Sequence, residues 1–225
     1  MRKGNKKAII AVASAIIAVS AGALALRAFF PIGDTNGVAK VSKTPMRASL
    51  FDPRQYDCTL EAYGSGSWTD NPNVLLEEDE GCWQLYGDRV DAWSRVSWVF
   101  GSLPEWCDAI SVPVLNAEGH EEDDAYLCLS VCADKYAEGM NLKGVYVRFS
   151  IGKGGAVSLG SLPDEALVEF GGVRYPINEF EEAMAHNGYE RPIGDFIKEF
   201  CDQAELRVAP QQMLRFEGVY ATGLK

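Results

Sequence analysis

The sequence predicts a mainly β domain, a sandwich or a barrel with two short helices late in the chain, set behind an N-terminal export or membrane segment. Three observations carry this expectation. Val145, Val147, Phe149 and Ile151 alternate with Tyr146, Arg148 and Ser150, the period of two that marks a half-buried strand. "EALVEF" and "VRYPI" flank Gly171-Gly172, two residues able to take the positive φ that a tight hairpin turn demands. The start of the chain is apolar and charge-flanked, unlike anything after it. An α+β arrangement is the alternative fold class.

Taken in order, residues 1–30 form a signal anchor or signal peptide. Arg2, Lys3, Lys6 and Lys7 precede an uncharged run from Ala8 to Leu26, the layout of an export signal. As a helix that run is about 28 Å long, close to the hydrocarbon thickness of a bilayer. Small-residue cleavage sites occur at 21–23 and 23–25. The run exceeds a usual signal core, which favours an uncleaved anchor. The four basic residues before it, against Arg27 after it, place the N-terminus in the cytoplasm and the remainder outside. The predicted localisation is the cell membrane, single-pass with the C-terminal domain outside, or secretion if the segment is removed.

Residues 31–53 lack either periodicity and are rich in small and turn residues, so they read as a flexible linker. Residues 54–225 suffice for one domain with a real core. Strands are expected at 56–63, 73–78, 81–86, 109–115, 125–132, 205–209 and 213–220, besides the hairpin above and a further pair in which "GKGG" turns 144–151 into 156–161. Residues 88–101 fit a helix or a strand. One helix is expected to begin at a capping box of Asn178 and Glu181 and to stop at Asn187-Gly188. The second, 192–204, places Ile193, Phe196, Ile197, Phe200 and Cys201 on one stripe, suited to covering a sheet.

On a strand, Cys128 and Cys132 share a face about 13 Å apart, too far for a mutual disulfide. Export makes oxidation the default. Cys58, Cys82, Cys107, Cys128, Cys132 and Cys201 therefore stand as disulfide candidates, with fifteen pairings open and Cys201 the favoured partner for Cys128 or Cys132. No metal site is expected. No C-x-x-C pair exists, and His120 and His186 have no ligand-like spacing to a cysteine. The acidic runs 77–80 and 118–124 do not match a calcium loop.

Charge narrows the partners. Residues 31–225 hold sixteen Lys and Arg against 32 Asp and Glu, which argues against nucleic acid and against anionic lipid. No cofactor motif is present. Enzyme patterns are sparse: there is no G-x-S-x-G, H-E-x-x-H or phosphate loop. Ser150 and Lys153 fit a serine-lysine pattern at a glycine turn, where coincidence explains them better. A late cysteine followed by an arginine, Cys201 and Arg207, behind an N-terminal anchor, resembles the layout of sortases. That resemblance implies a thiol transpeptidase with Cys201 as nucleophile, although Phe200 replaces the threonine that precedes the cysteine in that family.

"SWTDNPNVLL" (67–76) and the tail "FIKEFCDQAELRVAP" with "MLRFEGV" resemble secreted bacterial β-sandwich proteins of the invasion-associated locus B type and related type VI secretion accessory proteins. The resemblance implies an extracytoplasmic, non-enzymatic protein that works through contacts, and it transfers no site residue. Five tryptophans fall between 68 and 106. Most suit core packing, but Trp68 lies in a turn-rich stretch and Trp106 follows Pro104. These two are the predicted binding residues for an extracellular carbohydrate or protein.

Overall fold

The alternation of apolar and polar residues becomes seventeen strands in the computed structural model, which describes residues 44–53, 55–64, 68–70, 74–87, 91–116, 124–151 and 155–224. These belong to one compact unit, Lys43–Lys225. The apolar run 8–26 lies outside the described residues, as do most of the acidic run 118–124 and Lys153. Among the described residues no helix is long and apolar enough to cross a membrane.

In chain order the elements are β1 Pro45–Ser49, β2 Cys58–Tyr63, β3 Trp68–Asp70, β4 Val74–Asp79, β5 Cys82–Gly87, β6 Trp93–Val99, β7 Ala109–Val112, β8 Ala125–Ser130, β9 Tyr136–Ala137, β10 Met140–Asn141, β11 Tyr146–Ser150, β12 Gly155–Ser158, β13 Leu167–Phe170 and β14 Val173–Pro176. Then come α1 Ile177–His186, α2 Ile193–Phe200, β15 Gln203–Val208, β16 Met213–Phe216 and β17 Tyr220–Leu224. An eight-stranded antiparallel sheet runs β14-β13-β11-β8-β15-β6-β2-β3. Beside it are a four-stranded sheet, β1-β17-β7-β12, a three-stranded sheet, β16-β5-β4, and the small β9-β10 pair. The fold is thus mainly β with two short helices, and the sheets are open.

One face of the large sheet is the core face. Val96 and Trp98 of β6, Ala204 and Leu206 of β15, Leu127 and Leu129 of β8, and Val147 and Phe149 of β11 are all buried there. Phe51 joins the sheets: its ring lies 4.6 Å from Trp98 and 5.5 Å from Phe216, centroid to centroid. The helices add a phenylalanine cluster in which Phe196 packs edge-on against Phe180 at 5.7 Å and lies 5.2 Å from Phe200. The stripe expected on the second helix is buried as read, with Gly194 against the carbonyl of Leu159.

Several expectations are corrected. Residues 45–51, assigned to the linker, belong to the domain: β1 pairs with β17, and Leu50 and Phe51 are core residues. Short segments poor in alternating hydrophobics are held by their partner strand, which sequence periodicity does not register. The ambiguous segment 88–101 contains strand β6, because its neighbours β2 and β15 supply ladders on both sides. β11 and β12 do not form a hairpin; β12 crosses to pair with β7. The segment 213–220 divides between β16 and β17, which belong to different sheets.

The capping box is absent. Pro176 is the N-cap of α1 without a side-chain cap, and Glu181 instead accepts the backbone N–H of Ile193, at the start of α2, at 2.8 Å. The Gly171-Gly172 hairpin holds, with φ of 60° and 78° joining β13 and β14.

Candidate functional site

The second face of the eight-stranded sheet is polar and aromatic. Cross-strand register sorts it into rows. Tyr63 of β2 stands opposite Trp93 of β6. The next row runs Glu61, Arg95, Arg207, Tyr126, Ser150 across β2, β6, β15, β8 and β11. A further row places Glu205, Cys128, Arg148 and Leu167 side by side, and the last carries Tyr146, Glu169 and Arg174. All of these except Glu61, Ser150 and Glu205 line a basin of about 560 Å³, within the range of small-ligand sites.

The chemistry of this face departs from that of the whole protein. A chain of net charge −11 carries eleven arginines, and four of them, Arg95, Arg148, Arg174 and Arg207, line the basin. Two are held by a buried acid. Glu205, 1% exposed, accepts from Arg95 Nη1 at 3.0 Å and from Arg207 Nε and Nη2 at 3.1 and 3.0 Å. Arg95 also donates through Nε to Glu61 at 2.6 Å. Such charge-assisted pairs fix the guanidinium planes. Arg174 lies 3.2 Å from Glu169 on the exposed rim. Arg148 differs: its guanidinium sits 4.5 Å from the centroid of the Tyr126 ring, and among the described residues no carboxylate pairs with it.

The aromatic half is equally ordered. Trp93 and Tyr126 stack with centroids 5.5 Å apart and planes 30° from parallel. The Arg207 guanidinium lies 5.9 Å from the Tyr146 centroid. Burial, followed by the Glu205 charge, raises the Tyr146 pKa, so its phenol remains a hydrogen-bond donor. These side chains stand on a sheet whose backbone groups are consumed by ladders on both sides, which makes the site rigid.

The predicted site residues fall elsewhere. Trp106 is half-buried against the core and is not among the basin residues. Trp68 belongs to edge strand β3, opposite Tyr63, and its side chain is not among those described. Sequence reasoning missed Trp93, Tyr126, Tyr146 and Arg148. Their signal was present in the outward positions of "GVYVRFSI" and of the ambiguous segment around Trp93, but nothing in the sequence aligned those strands side by side.

The cysteines also sit differently from expectation. All six are free thiols in the structure. β8 ends at Ser130 because the Asp202 carboxylate accepts the N–H groups of Cys132 and Ala133, at 2.7 and 3.2 Å, and turns the chain. Cys132 is therefore exposed beyond the strand, while Cys128 is buried in the basin floor. Cys201 packs in the core, on the opposite side of the sheet from Cys128, so these two cannot bond through the sheet.

Burial pushes the Cys128 thiol up to about 12 and the Cys58 thiol up to about 11, the latter also through Asp57 and Asp52. Burial likewise raises Cys107, and burial with Asp202 raises Cys201. A raised pKa opposes thiolate formation. Cys201 and Arg207 do not meet: one lies in the core, the other in the basin. Among the described residues no cluster of His, Cys, Asp and Glu is arranged to hold a metal ion.

Comparison with known proteins finds no matching family model, curated protein or solved structure.

Proposed function

We propose that this chain is an extracytoplasmic binding module, membrane-anchored or secreted, that contacts a carbohydrate or protein partner through the basin on the large sheet. One observation carries the reading: arginines and aromatic rings converge on one concave, rigid sheet face of a protein that is otherwise acidic. Fixed guanidinium planes and a stacked tryptophan are recognition groups that lose little freedom when a partner arrives. The charge-flanked apolar run at 8–26 supports export, and the resemblance to invasion-associated locus B proteins points the same way. The sortase-like alternative gains no support, since Cys201 is buried and its pKa is raised.

The test is direct. Full-length protein is immobilised on an array of glycans and peptides beside Arg148→Ala and Trp93→Ala variants. Specific capture that both variants weaken is the expected result. Capture that is indifferent to both substitutions, or no capture at all, overturns the assignment of the site. Fractionation with N-terminal sequencing checks the compartment, and a cytosolic protein beginning at Met1 removes the extracytoplasmic placement.

A further inference from the structure

We infer that the ligand of the basin is an anionic saccharide, bound by ring stacking at the Trp93 and Tyr63 end and by oxyanion capture at Arg148. The inference rests on the reading of the basin as the binding site and narrows its ligand to one chemical class.

The basin has two chemically distinct ends. Tyr63, 37% exposed, and Trp93, which stacks on Tyr126, stand opposite each other on β2 and β6 and make this end of the basin aromatic. Sugar rings present a C–H-rich face that packs on such surfaces, as apolar ligand faces do in general. At the other end stands Arg148 on β11, stacked on Tyr126, with Arg174 beyond it at the rim. An arginine fork matches the two oxygens of a carboxylate or phosphate, and Arg148 has its fork uncommitted to any carboxylate among the described residues. Arg95 and Arg207 serve differently, since Glu205 already engages them.

Distance sets the size of the ligand. The Trp93 ring lies 5.5 Å from the Tyr126 ring and the Arg148 guanidinium 4.5 Å from that same ring, so Trp93 and Arg148 are separated by no more than the sum of those two distances. A sugar seated against Trp93 can therefore carry its acidic substituent to Arg148 without a long run of units. The location disfavours an extended acidic peptide. A peptide added as an extra strand needs an open sheet edge, and β6, β15, β8 and β11 are interior strands flanked on both sides, so only side-chain contacts with the arginines would be left to it.

Calorimetry with full-length protein in detergent tests the class. The probes are oligogalacturonate and its methyl ester, phosphorylated and unphosphorylated oligomannose, and oligoglutamate. The expected result is that one acidic saccharide binds at least about tenfold more tightly than its neutral partner, the pair identifying carboxylate or phosphate as the source of charge. A lost charge-assisted contact of about 1.5–3 kcal/mol corresponds to that tenfold or more. Arg148→Ala erases the preference, Arg148→Lys recovers part of it, Trp93→Ala weakens both members of the pair, and Trp93→Phe recovers part of the binding. Arg47→Ala, which removes an equal charge from the four-stranded sheet, changes nothing.

If neutral and acidic saccharides bind equally and the basin variants abolish both, the anionic class is wrong while the basin remains the site. If oligoglutamate matches the saccharides, ring stacking is wrong. If no probe binds, or the basin variants leave binding intact, the inference is overturned, and intact binding in those variants removes the site assignment with it.

Discussion

Removing the Glu205 carboxylate probes how the basin holds its arginines. Glu205 is 1% exposed, and its Oε2 receives three donor groups from Arg95 and Arg207, whose side chains are 13% and 21% exposed. Breaking a fully buried ion pair by deleting one partner costs about 3–5 kcal/mol. Here Arg95 retains Glu61, and both guanidiniums reach the water of the basin. The expected loss for Glu205→Ala is therefore about 2–3 kcal/mol, below the fully buried range. For a domain of this size each kcal/mol lowers the melting temperature by roughly 2–4 °C, so a fall of about 5–10 °C is expected.

Urea unfolding followed by tryptophan fluorescence measures this as a lower midpoint at unchanged slope. Glu205→Leu combined with Arg207→Leu should regain much of the loss, because a hydrophobic pair of similar volume replaces a buried ion pair without strong penalty. The reasoning fails if Glu205→Ala stays within about 0.5 kcal/mol of the wild type, the ordinary scatter of surface substitutions.

Other perturbations test separate parts of the structure. Thiols whose folded pKa lies above the unfolded value of 9.0, Cys128 at about 12 among them, remain protonated in the native state while the unfolded chain ionises. Stability should thus be fully present below about pH 9 and fall as pH rises through the alkaline range, by up to about 1.4 kcal/mol per pH unit and thiol. Cys128→Ala should make that fall shallower, as measured by melting temperature against pH, and an unchanged slope would count against the buried thiol. Timed alkylation with peptide mapping should label exposed Cys132 in the folded protein and reach Cys128 and Cys201 only after denaturation; a 128–132 disulfide would contradict the position of Cys132 beyond β8. Gly194→Ala should destabilise by about 1–3 kcal/mol through overpacking, since a Cβ there would lie 1.7 Å from the Leu159 carbonyl oxygen, and a neutral effect on the melting curve would show that α2 can move away from that loop.

Local chemistry determined much of this protein before any fold was known. Alternation at 145–151, the glycine pair at 171–172 and the apolar stripe of α2 are each written within a few residues, so their elements could be read from the sequence. The basin could not. Its residues come from seven strands that pair out of sequence order, β2, β6, β15, β8, β11, β13 and β14, and Tyr146 or Arg148 in isolation looks like any solvent-facing position. The same limit misplaced β12 and obscured β1, whose strand character comes from a partner more than 170 residues away. The cysteines show the division in one residue type: their number and spacing excluded a 128–132 bond within one strand, but only the Asp202 turn and the two faces of β8 decided that Cys132 is exposed, Cys128 lies under the basin and Cys201 lies in the core. Sequence determines what a short segment prefers, whereas long-range strand pairing decides which outward side chains become neighbours, and a binding surface is made of neighbours.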